Sequence, residues 1–156
     1  MTTELVDVIW ELAAPEDGAL VAHAATVTEV LREAVGAVDR EICVLLVDDA
    51  DIRALNLKWR DVDAPTDVLS FPVEAGPEGP AGPLGDIVIS LETSGQQAAA
   101  HGWTLQEEVT FLLVHSVCHL MGHDHGEPGE AARMRAEEDR LLAIAAPGQA
   151  RPPTPY

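Results

Sequence analysis

The sequence predicts a single small α+β domain, and three observations carry that expectation. The chain has 156 residues, the length of one domain, and a domain of that size buries roughly 70% of its unfolded surface. Four short apolar segments have the alternation or β-branched content of strands, while five longer ones repeat their apolar residues at helical spacing. The stretch AGPEGPAGP, Ala75–Pro83, is too short and too rich in Gly and Pro for a helical crossover, so the strands flanking it are antiparallel neighbours.

In chain order, LVDVIW (Leu5–Trp10) alternates as a half-buried strand does, and a turn follows around Pro15–Gly18. From Ala19 to Val38 the residues Leu20, Ala24, Val27, Val30, Leu31 and Val35 form one helical stripe. EICVLLV (Glu41–Val47) reads as a buried strand. DDADIRALNLKWR (Asp48–Arg60) opens on acidic N-cap candidates and continues as a helix. Val68–Val73 and Asp86–Leu91 are the strands around the Gly/Pro stretch, and Glu92–His101 is a helix. Thr104 is placed as an N-cap with Glu107 completing a capping box, ahead of a strongly apolar, central helix from Leu105 to about Met121. Gly122 ends it, as glycine does at a left-handed C′ position. A last amphipathic helix covers Gly129–Ala145. The expected organisation is one domain over residues 1–146 and a flexible Pro-rich tail over 147–156.

Composition narrows the function. The formal charge is −18, with one lysine, Lys58, and eight arginines. Such a surface opposes non-specific nucleic-acid binding, so activity has to come from a local site. Cys43 and Cys118 lie far apart in apolar surroundings and read as reduced thiols, which points to the cytosol. No N-terminal leader pattern is present, and no apolar run approaches the roughly 20 residues of a membrane helix. The expectation is a cytoplasmic protein without a membrane partner.

That local site is HSVCHLMGHDH, His115–His125, which holds four of the six histidines. His115 and His119 are four residues apart, on one helix face, so both rings reach one ion. After Gly122 the reversed chain brings His125 back as a third nitrogen. Three neutral imidazoles leave a fourth position for water, the arrangement of a catalytic zinc site with one ion per chain. The offsets of His115, His119, Gly122 and His125 match the spacing of the metzincin signature H-E-x-x-H-x-x-G-x-x-H, a zincin-like arrangement. Ser116, however, stands where a zinc protease carries its glutamate base, which argues against peptide hydrolysis. His123 is either a further ligand or a residue lining the site. Asp124 either orients a ligand ring or stabilises the turn. His23 and His101 read as ordinary surface or helix-end histidines.

A second constellation is LNLKWRDVDAPTDVLSFP, Leu55–Pro72. Arg60 sits near a helix end with Asp61, Asp63, Thr66 and Asp67 behind it. Arginine presents a planar donor fork suited to phosphate. Arg60 and Lys58 are the phosphate-binding candidates, with Arg53 nearby.

LVDDADIRALN, WRDVDAPTDVLSFP, LGDIVIS, HSVCHLMGHDH and RMRAEEDRLL occur in that order over roughly Leu45–Leu142. In this the sequence resembles the YbeY family, bacterial metal-dependent endoribonucleases that act as rRNA maturation factors. The resemblance implies a mixed sheet of about four strands packed by about five helices. It implies zinc on His115, His119 and His125, with Arg60 and His115 as catalytic residues. The implied activity is cleavage of single-stranded RNA in 16S rRNA 3′-end processing and ribosome quality control. The implied partners are ribosomal RNA and the ribosome or small-subunit assembly proteins. Two rivals remain: a non-catalytic, zinc-stabilised ribosome assembly factor and a zinc-dependent protease. The family usually has His-Gly where this chain has His115–Ser116, and Gly-Tyr-Asp-His where it has Gly122–His125.

Overall fold

The structure is a computed structural model that describes residues 4–74 and 82–152. Most of the expected Gly/Pro loop and the last four residues of the expected tail lie outside the described residues. Four strands, β1 (Val6–Trp10), β2 (Ile42–Val47), β3 (Val68–Pro72) and β4 (Gly85–Ser90), form one sheet in the order β1-β2-β4-β3. β1–β2 and β2–β4 are parallel, and β3 pairs antiparallel to β4 at the edge, with Leu69 opposite Val88 and Phe71 opposite Asp86. The five helices are α1 (Gly18–Ala34), α2 (Asp49–Arg60), α3 (Leu91–His101), α4 (Leu105–Leu120) and α5 (Pro128–Ala145). The expected α+β class and mixed four-stranded sheet are therefore found.

The period-2 alternation of the strands divides the core between the sheet's two faces. Ile42, Val44, Leu46, Ile87 and Ile89 pack with α1, α4 and α5 in the main core. Val47, Leu69 and Val88 pack with Ile52 of α2 in a smaller core. α4 runs through the centre and touches α1, α3, α5, β3 and β4. Its start is fixed as the sequence predicts: Glu107 N–H donates to Thr104 Oγ1 at 3.1 Å, and Thr104 N–H donates to Glu107 Oε1 at 2.9 Å. Among the described residues no helix is long and apolar enough to cross a membrane.

Two local details set the site's position. Gly85 sits where a Cβ would lie 2.5 Å from the Phe71 carbonyl oxygen and 2.6 Å from Leu120 Cδ2. Only glycine allows β3, β4 and the end of α4 to meet this closely, and α4 ends at the histidines. α1 stops at Ala34, short of the expected Val38. Gly36 turns the chain at φ 77°. The buried Arg32 then donates through Nη1 to the carbonyls of Ala37 and Val38, at 2.8 and 2.5 Å. The helix is closed by backbone bonds around Gly36, from the Gly36 N–H to the Glu33 carbonyl and from the Ala37 N–H to the Arg32 carbonyl, both at 3.0 Å, where the apolar stripe predicted another turn.

Candidate metal centre

The histidines converge because α4 ends where its sequence says it ends. Gly122 adopts φ 92°, and the His123 N–H donates back to the Cys118 carbonyl at 3.0 Å. The chain reverses, and nitrogens of His115, His119 and His125 come within 4.8 Å of one another. The His125 ring centre lies 5.7 Å from that of His115 and 5.5 Å from that of His119.

The hydrogen bonds behind the rings define which nitrogens face inward. His115 Nδ1 lies 2.6 Å from Glu138 Oε2, and His119 Nδ1 lies 3.0 Å from the His123 carbonyl. A carboxylate and a carbonyl accept, so each Nδ1 carries the proton and each Nε2 presents a lone pair. Those two Nε2 atoms are 3.2 Å apart. Two lone pairs at that distance repel unless a cation lies between them. Nitrogens bound to one tetrahedral ion at about 2.0–2.1 Å are roughly 3.4 Å apart, so the spacing fits a metal. A proton is a poor substitute, because burial and then the neighbouring His115 and His125 hold the His119 pKa below its ordinary value. The residues present therefore suit a divalent ion with three imidazole ligands.

The other candidates are separated by their positions. Cys118 is fully buried, burial pushes its thiol up to about 12, and it stands apart from the three converging histidines. Ser116 is fully buried as well, and its Oγ has no hydrogen-bond partner. Asp124 Oδ1 accepts from the His125 N–H at 2.7 Å, which stabilises the loop bearing the third histidine. His123 Nε2 stands 4.0 Å from Glu137 Oε2 on the groove wall.

The histidines lie in an open groove of about 1120 Å³. Arg60 and Trp59 from the end of α2 line it, as do Thr66, Asp67 and the residues of β3. Lys58 does not line it; its Nζ lies 5.1 Å over the Trp59 ring. Arg53 pairs with Asp63 at 2.7 Å on the exposed side of α2. Trp59 is 61% exposed and is held edge-on against Phe71, with ring centres 6.1 Å apart at 70°.

Three features escaped the sequence reading. His101, read as ordinary, ends α3 and lines the groove 2.9 Å from Glu108. Glu108 is 1% exposed, and its pKa is raised by that burial and lowered in part by His101. Glu138, the fully buried partner of His115, sits in RMRAEEDRLL, where only the polarity break within an amphipathic helix hints at it. Residues 149 and 151, part of the expected mobile tail, are docked. Gln149 Nε2 donates to the Glu107 carbonyl at 2.9 Å, and Arg151 meets Glu138 at 2.8 Å. His23 lies outside the groove, with Nε2 2.7 Å from Thr110 Oγ1.

Fold and site together define a class: a small α+β domain with a three-histidine cluster suited to a metal, set in an open groove. Residues 15–146 match the family model described as endoribonuclease YbeY. The chain belongs to the YbeY family. Endoribonuclease YbeY of Myxococcus xanthus is 51% identical over 104 residues, covering 65% of this chain and 35% of that protein. Those of Heliobacterium modesticaldum and Moorella thermoacetica are 43% and 46% identical. Each of these two matches covers 67% of this chain, with 69% and 72% of the relative. This chain thus spans about a third of the first relative's length and about seven tenths of the other two. The solution structure of TM1509 from Thermotoga maritima superposes with a TM-score of 0.60 at 21% identity. It covers 96% of this chain and 99% of its own, a likeness of fold alone.

Proposed function

We propose that this protein is a zinc-dependent endoribonuclease of rRNA maturation, with one ion on His115, His119 and His125 and with Arg60 holding the scissile phosphate. Residues 1–146 are the catalytic domain in this reading. The observation that carries it is the pair of inward-facing Nε2 lone pairs 3.2 Å apart, in a groove that Arg60 lines. Family membership supplies the substrate class, RNA. When bound, the ion supplies Lewis acidity toward a phosphoryl oxygen. The chain's own residues do the rest. Glu138 and the His123 carbonyl fix the tautomers and orientations of His115 and His119. Arg60 donates to the phosphate and to the charge that grows on it in the transition state. Trp59, exposed and braced by Phe71, offers an indole face on which an unpaired base stacks, which favours single strands over duplex.

Peptide hydrolysis is disfavoured by geometry as well as by sequence, since position 116 holds a core-buried serine and no carboxylate. The charge of −18, and a groove that includes Asp67, Glu108 and Asp124, weaken encounter with free RNA. The substrate is therefore presented by the ribosome or by a small-subunit assembly protein, in the cytoplasm.

The test is cleavage of a ribosomal RNA fragment by the parent chain, His119→Ala and Arg60→Ala, each checked for folding, with and without small ribosomal subunits. The reading expects cutting by the parent and loss in both variants. Equal cutting by all three sinks it. A parent that never cuts, and whose fold melts on chelation, supports the structural-zinc assembly factor instead. The product ends then separate attack by the RNA 2′-hydroxyl, which leaves a 2′,3′-cyclic phosphate, from attack by water, which leaves a 5′-phosphate directly.

A further inference from the structure

We propose that Arg151, on the segment that follows α5, is a positioning residue for the metal centre, acting through Glu138 on His115. The proposal rests on the metal-binding half of the reading above and not on RNA cleavage.

Glu138 is fully buried, and its two oxygens are divided between two partners. Oε2 faces His115 Nδ1 at 2.6 Å, and Oε1 faces Arg151 Nη2 at 2.8 Å. Burying a carboxylate is costly unless charge and hydrogen bonds replace the water it has lost. The His115 N–H serves one oxygen, and the guanidinium serves the other while supplying the positive charge. With both in place, the carboxylate is fixed with Oε2 aimed at Nδ1, and the His115 Nε2 stays turned inward toward that of His119. Without the guanidinium, Oε1 loses this partner and the carboxylate is freer to turn, which weakens its hold on the ring.

Arg151 is itself held from several sides. Its Nε donates to Asp139 Oδ1 at 3.1 Å and its Nη2 to the Arg135 carbonyl at 3.2 Å. Its guanidinium carbon lies 5.8 Å over the centre of the Phe111 ring, and Phe111 is stacked on His115 at 6.3 Å and 29°. Two residues earlier, the Gln149 bond to the Glu107 carbonyl fastens the segment to α4. A side chain from the far end of the sequence thus bears on His115 both through Glu138 and through Phe111.

Chelator competition for zinc, together with the cobalt-substituted absorption spectrum, tests the proposal on the full-length chain. Arg151→Met keeps an apolar stem over Phe111 and removes the charge. Zinc affinity is expected to fall about tenfold, less than or equal to the roughly 10–100-fold expected when Glu138→Gln alters the histidine's direct partner. Arg151→Lys restores part of the loss. Asp63→Ala, which removes an exposed ion pair with Arg53 outside the groove, leaves affinity within about twofold. The double variant Arg151→Met/Glu138→Gln binds no more weakly than Glu138→Gln alone, because the arginine acts through that carboxylate. A merely structural role predicts a lower melting temperature of the apo protein with unchanged affinity and spectrum, and that result overturns the proposal. So does an additive double variant. If Arg151→Met fails to fold, Arg151→Gln is judged by the same criteria. Because the readout is metal affinity, a negative result here leaves the endoribonuclease reading standing, and inactivity on RNA leaves this inference standing.

Discussion

The groove has two unlike walls. On the α4 side, His115 and His119 are each fixed from behind by a hydrogen bond from Nδ1, and the loop bearing His125 is held by Asp124. On the α2 side, Arg60 is the last residue of a helix, exposed to solvent, and is followed by Asp61 in the left-handed region at φ 59°. The first wall is set by these bonds before anything binds, which suits the metal role proposed for it. In the proposed reading, the exposed Arg60 of the second reaches toward a flexible phosphate chain. The difference teaches that, if the proposed roles hold, a metal wall and a strand wall call for different amounts of order within one small fold.

Breaking the rigid wall has the largest expected effect. His119→Ala removes one of the proposed ligands, whose Nε2 lies 3.2 Å from that of His115. Zinc stoichiometry by atomic absorption should drop from one per chain towards zero, with cleavage reduced by at least about 10³-fold, while the apo fold persists by circular dichroism. Breaking the adaptable wall costs less. Arg60→Ala should retain zinc fully and lose about 10²–10³ in kcat/KM, the range for removal of one donor to transition-state charge. Equal loss of zinc in both variants would undo the comparison, because Arg60 would then belong to the metal's surroundings.

The walls also differ in how pH acts on them. The His119 pKa is held low by burial, then by His115 and His125. In the unfolded chain that ring titrates near 6.5. Below that pH the unfolded state takes up a proton that the folded state resists. The stability due to neutral His119 is therefore present above about pH 6.5 and lost as pH falls through the folded value. Apo-protein melting curves from pH 7.5 to 5 should show this loss in the parent and lack it in His119→Ala. The general relief of acidic repulsion is common to both proteins and cancels in the difference. With zinc bound the dependence steepens, because protons compete for the same nitrogens.

How much of this was legible in the sequence differs between the walls too. The capping box at Thr104, the apolar run of α4, the stop at Gly122 and the histidine offsets are all local, and local patterns survive folding unchanged. The antiparallel β3–β4 pair was also readable, because a short Gly/Pro connection leaves few alternatives. The groove as an enclosure was not. It joins the end of α2 to the end of α4 across the β3 edge, a meeting that depends on Gly85 admitting Leu120 and Phe71. Glu138 and Arg151 reach His115 from 23 and 36 positions further along the chain. No spacing rule links residues that far apart, and in sequence they look like ordinary members of a charged helix and a polar tail. The premature end of α1 belongs with these, since the left-handed turn at Gly36 closed the helix while its apolar stripe continued in the sequence.

The smallest effect comes from the joint between α2 and the loop behind it. Asp61 is the only described non-glycine residue with positive φ, and its N–H closes α2 by donating to the Asn56 and Leu57 carbonyls. An L-residue in the left-handed region costs about 1–2 kcal/mol, less for Asp and Asn, and glycine removes that cost while adding freedom to the unfolded chain. Asp61→Gly should therefore raise stability by only a few tenths to about 1 kcal/mol, measured by urea denaturation. It also deletes a negative charge next to Arg60, so KM for RNA should fall by about twofold to fivefold while zinc affinity stays constant. A gain in stability together with a lower KM and an unchanged metal site is what two independently built walls predict. A change in zinc affinity from this substitution would mean that the end of α2 and the histidine cluster move as one body, and that Arg60 is as preset as the ligands opposite it.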